Sequence, residues 1–208
     1  MTDYSDLTLE QYRDALASDA PTPGGGTAAA VALSQGAALA IMVCNLTLGK
    51  EKWNDGWKSA EDCKSIAEPL LDRGHELAGE DADAFDRVMS AYKMPKSTDD
   101  EADARRTMIR EETLNAAIVP METARLAFGL LKSLPSLASS GNANAVTDVG
   151  VAGLLVSAAC KGALFNVEIN LNSLPEEMAS ELRAEMETLR LECRDVARNV
   201  MHSVHDRM

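Results

Sequence analysis

The longest uninterrupted pattern in the chain runs from Thr27 to Leu48, where no charged residue occurs. It is entered through Pro21-Thr22-Pro23-Gly24-Gly25-Gly26 and left through Gly49. Prolines and glycines halt a helix, and a glycine just past the last turn takes the left-handed cap, so a buried helix is predicted between them. Before it, Leu9 to Ser18 is a short amphipathic segment with Leu9, Tyr12 and Leu16 on one side. Lys58 to Tyr92 repeats apolar positions at helical spacing (Cys63, Ile66, Leu70, Leu77, Phe85, Val88), with irregularities expected at Pro69, Gly74 and Gly79. After a linker at Lys93 to Ser97, a helix is predicted from Thr98 to Lys132, opened by Asp99, Asp100 and Glu101 and kinked at Pro120. Ser133 to Asn142 then reads as a loop. Ala143 to Leu164 is a second apolar helix, and a last amphipathic one begins near Pro175.

The pattern therefore describes an all-α chain: a bundle of long, mostly antiparallel helices forming a single domain over residues 1–208. With 46% hydrophobic and only 4% aromatic residues, composition agrees, because alanine, leucine, methionine and glutamate favour helix over sheet. Thr27–Leu48 is nearly long enough to span a bilayer, but its small residues with Ser34, Gln35 and Asn45 make it weakly hydrophobic, and Asp148 and Lys161 interrupt the second apolar segment. No membrane span is expected. The net charge of −13 disfavours nucleic acid, whose phosphates require a basic face. Cys44, Cys63, Cys160 and Cys193 form no CxxC pair and read as reduced core residues. No apolar leader follows Met1, so the cytoplasm is the expected location.

Candidate chemistry is narrowed first by what is missing. There is no P-loop, no GxGxxG and no HExxH, and His75, His202 and His205 lack metal-ligand spacing, so no metal is expected. The Pro21–Gly26 turn can gather main-chain N–H groups at a helix start to hold an anion or oxyanion, or it can be a tight turn with Thr27 as the N-cap. Asp81 shares a helix face with Phe85, Val88 and Tyr92 and should point inward, as a cap, an ion-pair partner or a catalytic acid. Asn144 and Asp148, four residues apart, place two polar groups on an apolar helix, and Asn142 beside them can cap it. Asn166 and Asn170 repeat that spacing. Lys50, Lys52, Lys93 and Lys96 stand at loop edges, where they can meet a carboxylate or merely be solvated.

These segments occur in an order that resembles a known family. Leu16-Ala17-Ser18 with Pro21 to Ala30, Asn45 to Lys50, Glu80 to Phe85, Met94-Pro95-Lys96, Val119-Pro120, Gly141 to Asn144 with Thr147 to Gly150, and Asn166 to Leu171 look like the cyclodeaminase domain of formiminotransferase-cyclodeaminase and standalone methenyltetrahydrofolate cyclohydrolases. Thr27 and Thr147 stand where serine is common in the family, and Met94 where leucine is. The resemblance implies an all-α fold that dimerises, with no permanently bound cofactor and a tetrahydrofolate derivative, polyglutamylated or not, as substrate. It implies formimidoyltetrahydrofolate cyclodeaminase as the activity, with methenyltetrahydrofolate cyclohydrolase as the alternative. A noncatalytic folate-binding or scaffold dimer is the reading of another class. On this resemblance Asp148 is the proton-transfer residue and Asp81 stabilises the cationic one-carbon unit. Asn142 and Asn144 orient the folate or the attacking group, Gly24, Gly25 and Gly26 approach the substrate through main chain, and Lys50, Lys93 and Lys96 meet the carboxylates of the glutamate tail.

Overall fold

A computed structural model describes residues 3–208, and every regular element in it is helical. In chain order these are α1 (Leu9–Leu16), α2 (Gly25–Thr47), a 3-10 segment (Glu51–Gly56), α3 (Trp57–Ala67), α4 (Leu70–Tyr92), α5 (Asp99–Ser140), a 3-10 turn (Ala143–Ala145), α6 (Val146–Asn172) and α7 (Ser180–His205). Capping sets several boundaries. Thr8 with Gln11 and Thr98 with Glu101 form reciprocal capping boxes at the starts of α1 and α5. Past α2, Gly49 takes φ +70°, the left-handed conformation expected of it.

α6 lies at the centre, against α2, α5 and α7, and α5 also covers α3, α4 and α7. Asn166 lies beside Gly25 while Asn142 bonds to the last turn of α2, so α2 and α6 are antiparallel. The ion pairs Arg87–Glu112 and Arg73–Glu122 fix α4 antiparallel to α5. Arg125–Glu185 and the contact of Arg207 with the Ser139 carbonyl show α5 and α7 running parallel, with α6 between them in sequence and opposite in direction. Leu33, Val43, Leu77, Met121, Leu130, Leu134, Val149, Val156 and Leu171 are fully enclosed. Each such side chain contributes about 1.5–3 kcal/mol of burial. Small residues on the facing helices, Ala37 and Ala40 on α2 with Ala152 and Ala159 on α6, let the axes approach. All four cysteines are buried and unbridged.

Three expectations change. The loop predicted at Ser133 to Asn142 is instead helix, because α5 continues through Pro135 to Ser140. Leu134, Leu137 and Ala138 are buried there, and that burial offsets the roughly 3 kcal/mol that an internal proline costs. Between residues 58 and 92 the break falls at Pro69, whereas Gly74 and Gly79 lie inside a continuous α4. Finally, only the Asp81 end of the predicted inward side of α4 is enclosed, against the start of α2: Phe85 is 37% and Tyr92 50% exposed, and Leu77, Ala78 and Ala82 carry the buried face.

By length and composition Gly25–Thr47, Asp99–Ser140 and Ala143–Asn172 are long and apolar enough to cross a membrane, and 56% of each apolar window is buried within the bundle. Outward-facing apolar residues remain on two of them: Met42 and Leu46 on α2, and Val151, Leu154, Phe165 and Ile169 on α6.

Candidate active site

The Pro21–Gly26 turn delivers the start of α2 to the middle of α4. Gly24 occupies the N-cap position in an extended conformation and makes no side-chain cap. Ala28 N–H donates to the Gly24 carbonyl, so the amides of Gly25, Gly26 and Thr27 precede the helix's own ladder. Thr27 is therefore not the N-cap. Its hydroxyl reaches across to α4 and donates to Asp81 Oδ2 at 3.1 Å.

Asp81 sits so close to this turn that any side chain at position 26 would displace its carboxylate. A Cβ there would stand 2.2 Å from Asp81 Oδ1 and 2.6 Å from its Cγ. Burial pushes the Asp81 carboxyl above the ordinary carboxylate range, and the hydroxyl and amide of Thr27 offset this in part. A desolvated carboxylate keeps its proton to higher pH than a solvated one, which suits it to give and take a proton in acid–base catalysis.

Around it lies a cavity of about 350 Å3 lined by Pro21, Thr22, Gly24 to Gly26, Asp81, Phe85, Val88, Ala116, Asn166, Ile169 and Asn170. Its walls are apolar, with a few polar groups converging, the usual composition of a small-molecule site. Asn166 Nδ2 donates to the Gly162 carbonyl at 2.9 Å and Asn170 Nδ2 to the Ala116 carbonyl at 2.8 Å. One N–H of each amide is committed, and the side-chain oxygens stay open as acceptors. Behind the turn, Tyr4 and Tyr12 pack edge-to-face at 6.0 Å, and burial raises the pKa of both.

The remaining sequence-derived candidates lie elsewhere in the chain. Asp148 is in the first turn of α6, eighteen residues from Asn166, about 27 Å along the helix. Asn142 is anchored at three atoms: its N–H donates to Thr47 Oγ1, Nδ2 donates to the Leu46 carbonyl, and Oδ1 accepts from Asn144 N–H. Asn144 is exposed on the 3-10 turn, and Lys50 is exposed at the same end of α2. Lys93 and Lys96 follow the end of α4, both exposed. One chain thus brings Gly24, Gly25, Gly26 and Asp81 together at one end of the α2–α6 pair, and Lys50, Asn142, Asn144 and Asp148 together at the other. Asn166 and Asn170 join the first group. Their four-residue spacing puts both on one face of α6, and only the position of α2 makes that face line a cavity. Among the described residues no group of three His, Cys, Asp or Glu side chains is arranged to hold a metal ion.

Residues 8–188 match the formiminotransferase-cyclodeaminase family. The chain belongs to that family. It is 40% identical over 179 residues to the methenyltetrahydrofolate cyclohydrolase of Methylorubrum extorquens, covering 85% of each chain. It is 30% identical to the formimidoyltransferase-cyclodeaminase of Rattus norvegicus over 97% of its own length but only 38% of the rat protein. A crystal structure of formiminotetrahydrofolate cyclodeaminase from Thermotoga maritima superposes with a TM-score of 0.85 at 30% identity, covering 97% of both chains. Its fold and the family assigned to this chain agree.

Proposed function

We propose that this protein is a cytoplasmic tetrahydrofolate one-carbon enzyme that acts at the carbon between N5 and N10. Formimidoyltetrahydrofolate cyclodeaminase is the leading activity, supported by the full-length match to the Thermotoga protein. Methenyltetrahydrofolate cyclohydrolase is the second, favoured by the higher identity to the Methylorubrum protein. The observation that carries the reading is Asp81, a desolvated carboxylate locked against a glycine turn in an amide-bearing apolar cavity.

In the deaminase direction N10 attacks the formimino carbon and gives up its proton while the imino nitrogen takes one, so that a tetrahedral centre bearing an amino group results. Its amino group takes a proton and leaves as ammonia, and the methenyl bridge remains. In the hydrolase direction water attacks the methenyl carbon and loses a proton, the C–N5 bond breaks with protonation of N5, and 10-formyltetrahydrofolate results. Both need one group that gives and takes a proton beside a cationic carbon, so one constellation serves either. Burial of Asp81 favours it for the proton transfer that the sequence resemblance implied for Asp148, and its ionised form stabilises the cation. Asn166 and Asn170 accept from the heterocycle, and the Gly24–Gly26 main chain approaches it.

Asp148, Asn144, Asn142 and Lys50 enter the same reaction through a homodimer. The outward apolar residues Met42, Val151 and Leu154 give two copies a face to share. A twofold axis across the antiparallel α2–α6 pair sets the partner's Asp148 end beside the Asp81 end. The methenyltetrahydrofolate chromophore tests the chemistry: it appears from 5-formiminotetrahydrofolate in a cyclodeaminase and disappears faster than the uncatalysed rate in a cyclohydrolase. No change in either direction refutes both and leaves the noncatalytic dimer. Asp81→Asn and Asp148→Asn each abolish turnover with helical circular dichroism intact. Mixing the two variants under subunit exchange restores about a quarter of wild-type activity if the site is shared, and none if it is not.

A further inference from the structure

Tyr4 and Tyr12 lie behind the glycine turn, and neither lines the Asp81 cavity. Tyr4 packs against Ala30, Leu77 and Ala78, which close the α2–α4 seam one turn away from Thr27 and Asp81, and its hydroxyl bonds to that of Thr22. Tyr12, on α1, meets Tyr4 edge-to-face at 6.0 Å and lies within electrostatic reach of the Asp81 carboxylate. The Tyr12 hydroxyl is buried and has no hydrogen-bond partner. A phenylalanine would fill the same space without burying an unpaired donor, so packing alone does not account for a tyrosine here.

The carboxylate beside it has capacity to spare. Its hydrogen bonds come from Thr27, one from the hydroxyl and one from the amide, whereas a carboxylate accepts about four. α1 is also free to adjust. None of its residues is buried, Leu9 is 85% exposed, and its side-chain bonds stay within the helix and its cap, Thr8 with Gln11 and Arg13 with Glu10 and Asp14. We infer that Tyr12 is a positioning residue of the reaction, whose hydroxyl moves with α1 onto the Asp81 carboxylate when that group is ionised and releases it when it is protonated. This rests on the role proposed for Asp81 above. The donor touches no substrate; it holds the carboxylate in one orientation and stabilises the form that is ready to take a proton.

The surroundings make the coupling readable. No ionisable residue other than Asp81 lines the cavity, and α2 carries no charge. Glu112 on α5 is paired with Arg87, Glu168 on α6 with Arg190, and Glu80 on α4 with Arg73. Asp83 and Asp86, also on α4, lie within range of Tyr4, and His75 within range of Asp3; all act alike in the wild type and in a Tyr12 variant. Both phenols stay neutral where Asp81 titrates, because burial raises them further.

Tyr12→Phe keeps the ring and removes only the donor. Carboxyl 13C NMR on aspartate-labelled protein, with the Asp81 resonance assigned by its loss in Asp81→Asn, should show Asp81 titrating at higher pH in the variant. Without the donor its ionised form loses stabilisation, so the acid limb of kcat/KM moves in the same direction and activity below that limb falls about tenfold, the worth of one hydrogen bond to a charged group. Thermal unfolding adds a third readout. The variant should be the more stable protein below the Asp81 transition and lose that advantage as pH rises through it, whereas a hydroxyl that is merely unpaired gives the same advantage at every pH. An Asp81 titration that stays in place or moves to lower pH, or a stability difference that does not change with pH, overturns the assignment. Failure of the folate reading is distinct: the wild type then converts neither substrate, while titration and unfolding still report the coupling of Tyr12 to Asp81.

Discussion

Replacing Gly26 by alanine is the most direct probe of the site, because the geometry states what must move. The added Cβ would lie 2.2 Å from Asp81 Oδ1, about 1.2 Å short of the 3.4 Å at which ordinary contact begins. Two rigid helices meet there, but the atom struck is the tip of a short side chain, so the carboxylate swings aside while α2 and α4 hold. Stability then falls by only about 1 kcal/mol, the low end of overpacking costs. For a chain of this size that is a drop in Tm of about 2–4 °C. Activity is hit harder: a displacement of about 1 Å at a reacting group costs on the order of a hundredfold in kcat/KM. Chromophore kinetics and thermal unfolding on the same preparation give both numbers. Gly25→Ala is the control for stability, since its Cβ would meet Asn166 Nδ2 at an unstrained 3.7 Å. In an Asp81→Ala background the stability cost of Gly26→Ala should vanish, because the two changes share one contact. A folded Gly26→Ala enzyme within threefold of wild-type activity would refute the role given to this contact.

Asp81→Asn should raise stability at neutral pH while abolishing turnover. The folded pKa of Asp81 lies above its unfolded value because of burial, so the ionised carboxylate penalises the fold as pH rises through the folded pKa. The variant lacks that penalty, and its advantage, followed by urea unfolding across pH, should disappear below the unfolded pKa near 3.8. Thr27→Val removes the 3.1 Å donor to Asp81 and with it a contribution that lowers the pKa, so the acid limb of the kcat/KM profile should move to higher pH. An unmoved limb would show that Asp81 is not the group titrating there. Asn142→Ala cuts the side-chain bond that ties the α5–α6 turn to the Leu46 carbonyl of α2 and the one that caps the turn itself, and should cost about 1–3 kcal/mol in denaturant unfolding.

Much of the architecture was legible in the chain because helix periodicity and breakers act locally. The uncharged run before Gly49, the acids Asp99 to Glu101 that open α5 and the stripe of α7 each needed only neighbours within a turn or two. The Pro135 segment was not legible: a proline costs the same wherever it stands, and only the enclosure of Leu134 and Leu137 by other helices decided that α5 would continue. The sequence likewise marked the odd residues of the site, a glycine triplet and acids or amides on apolar helices, since each breaks a local rule whose cost is computable from composition alone.

What no local rule contains is which of those residues meet. Gly26 and Asp81 are fifty-five residues apart, and their contact exists because α2 enters against the middle of α4. Asp148 and Asn166 lie on one helix, yet a straight helix of 1.5 Å per residue holds them at opposite ends. Periodicity assigns each residue to a face. Only the packing of α2 and α6, antiparallel and in one register, decides which end of the molecule that face serves.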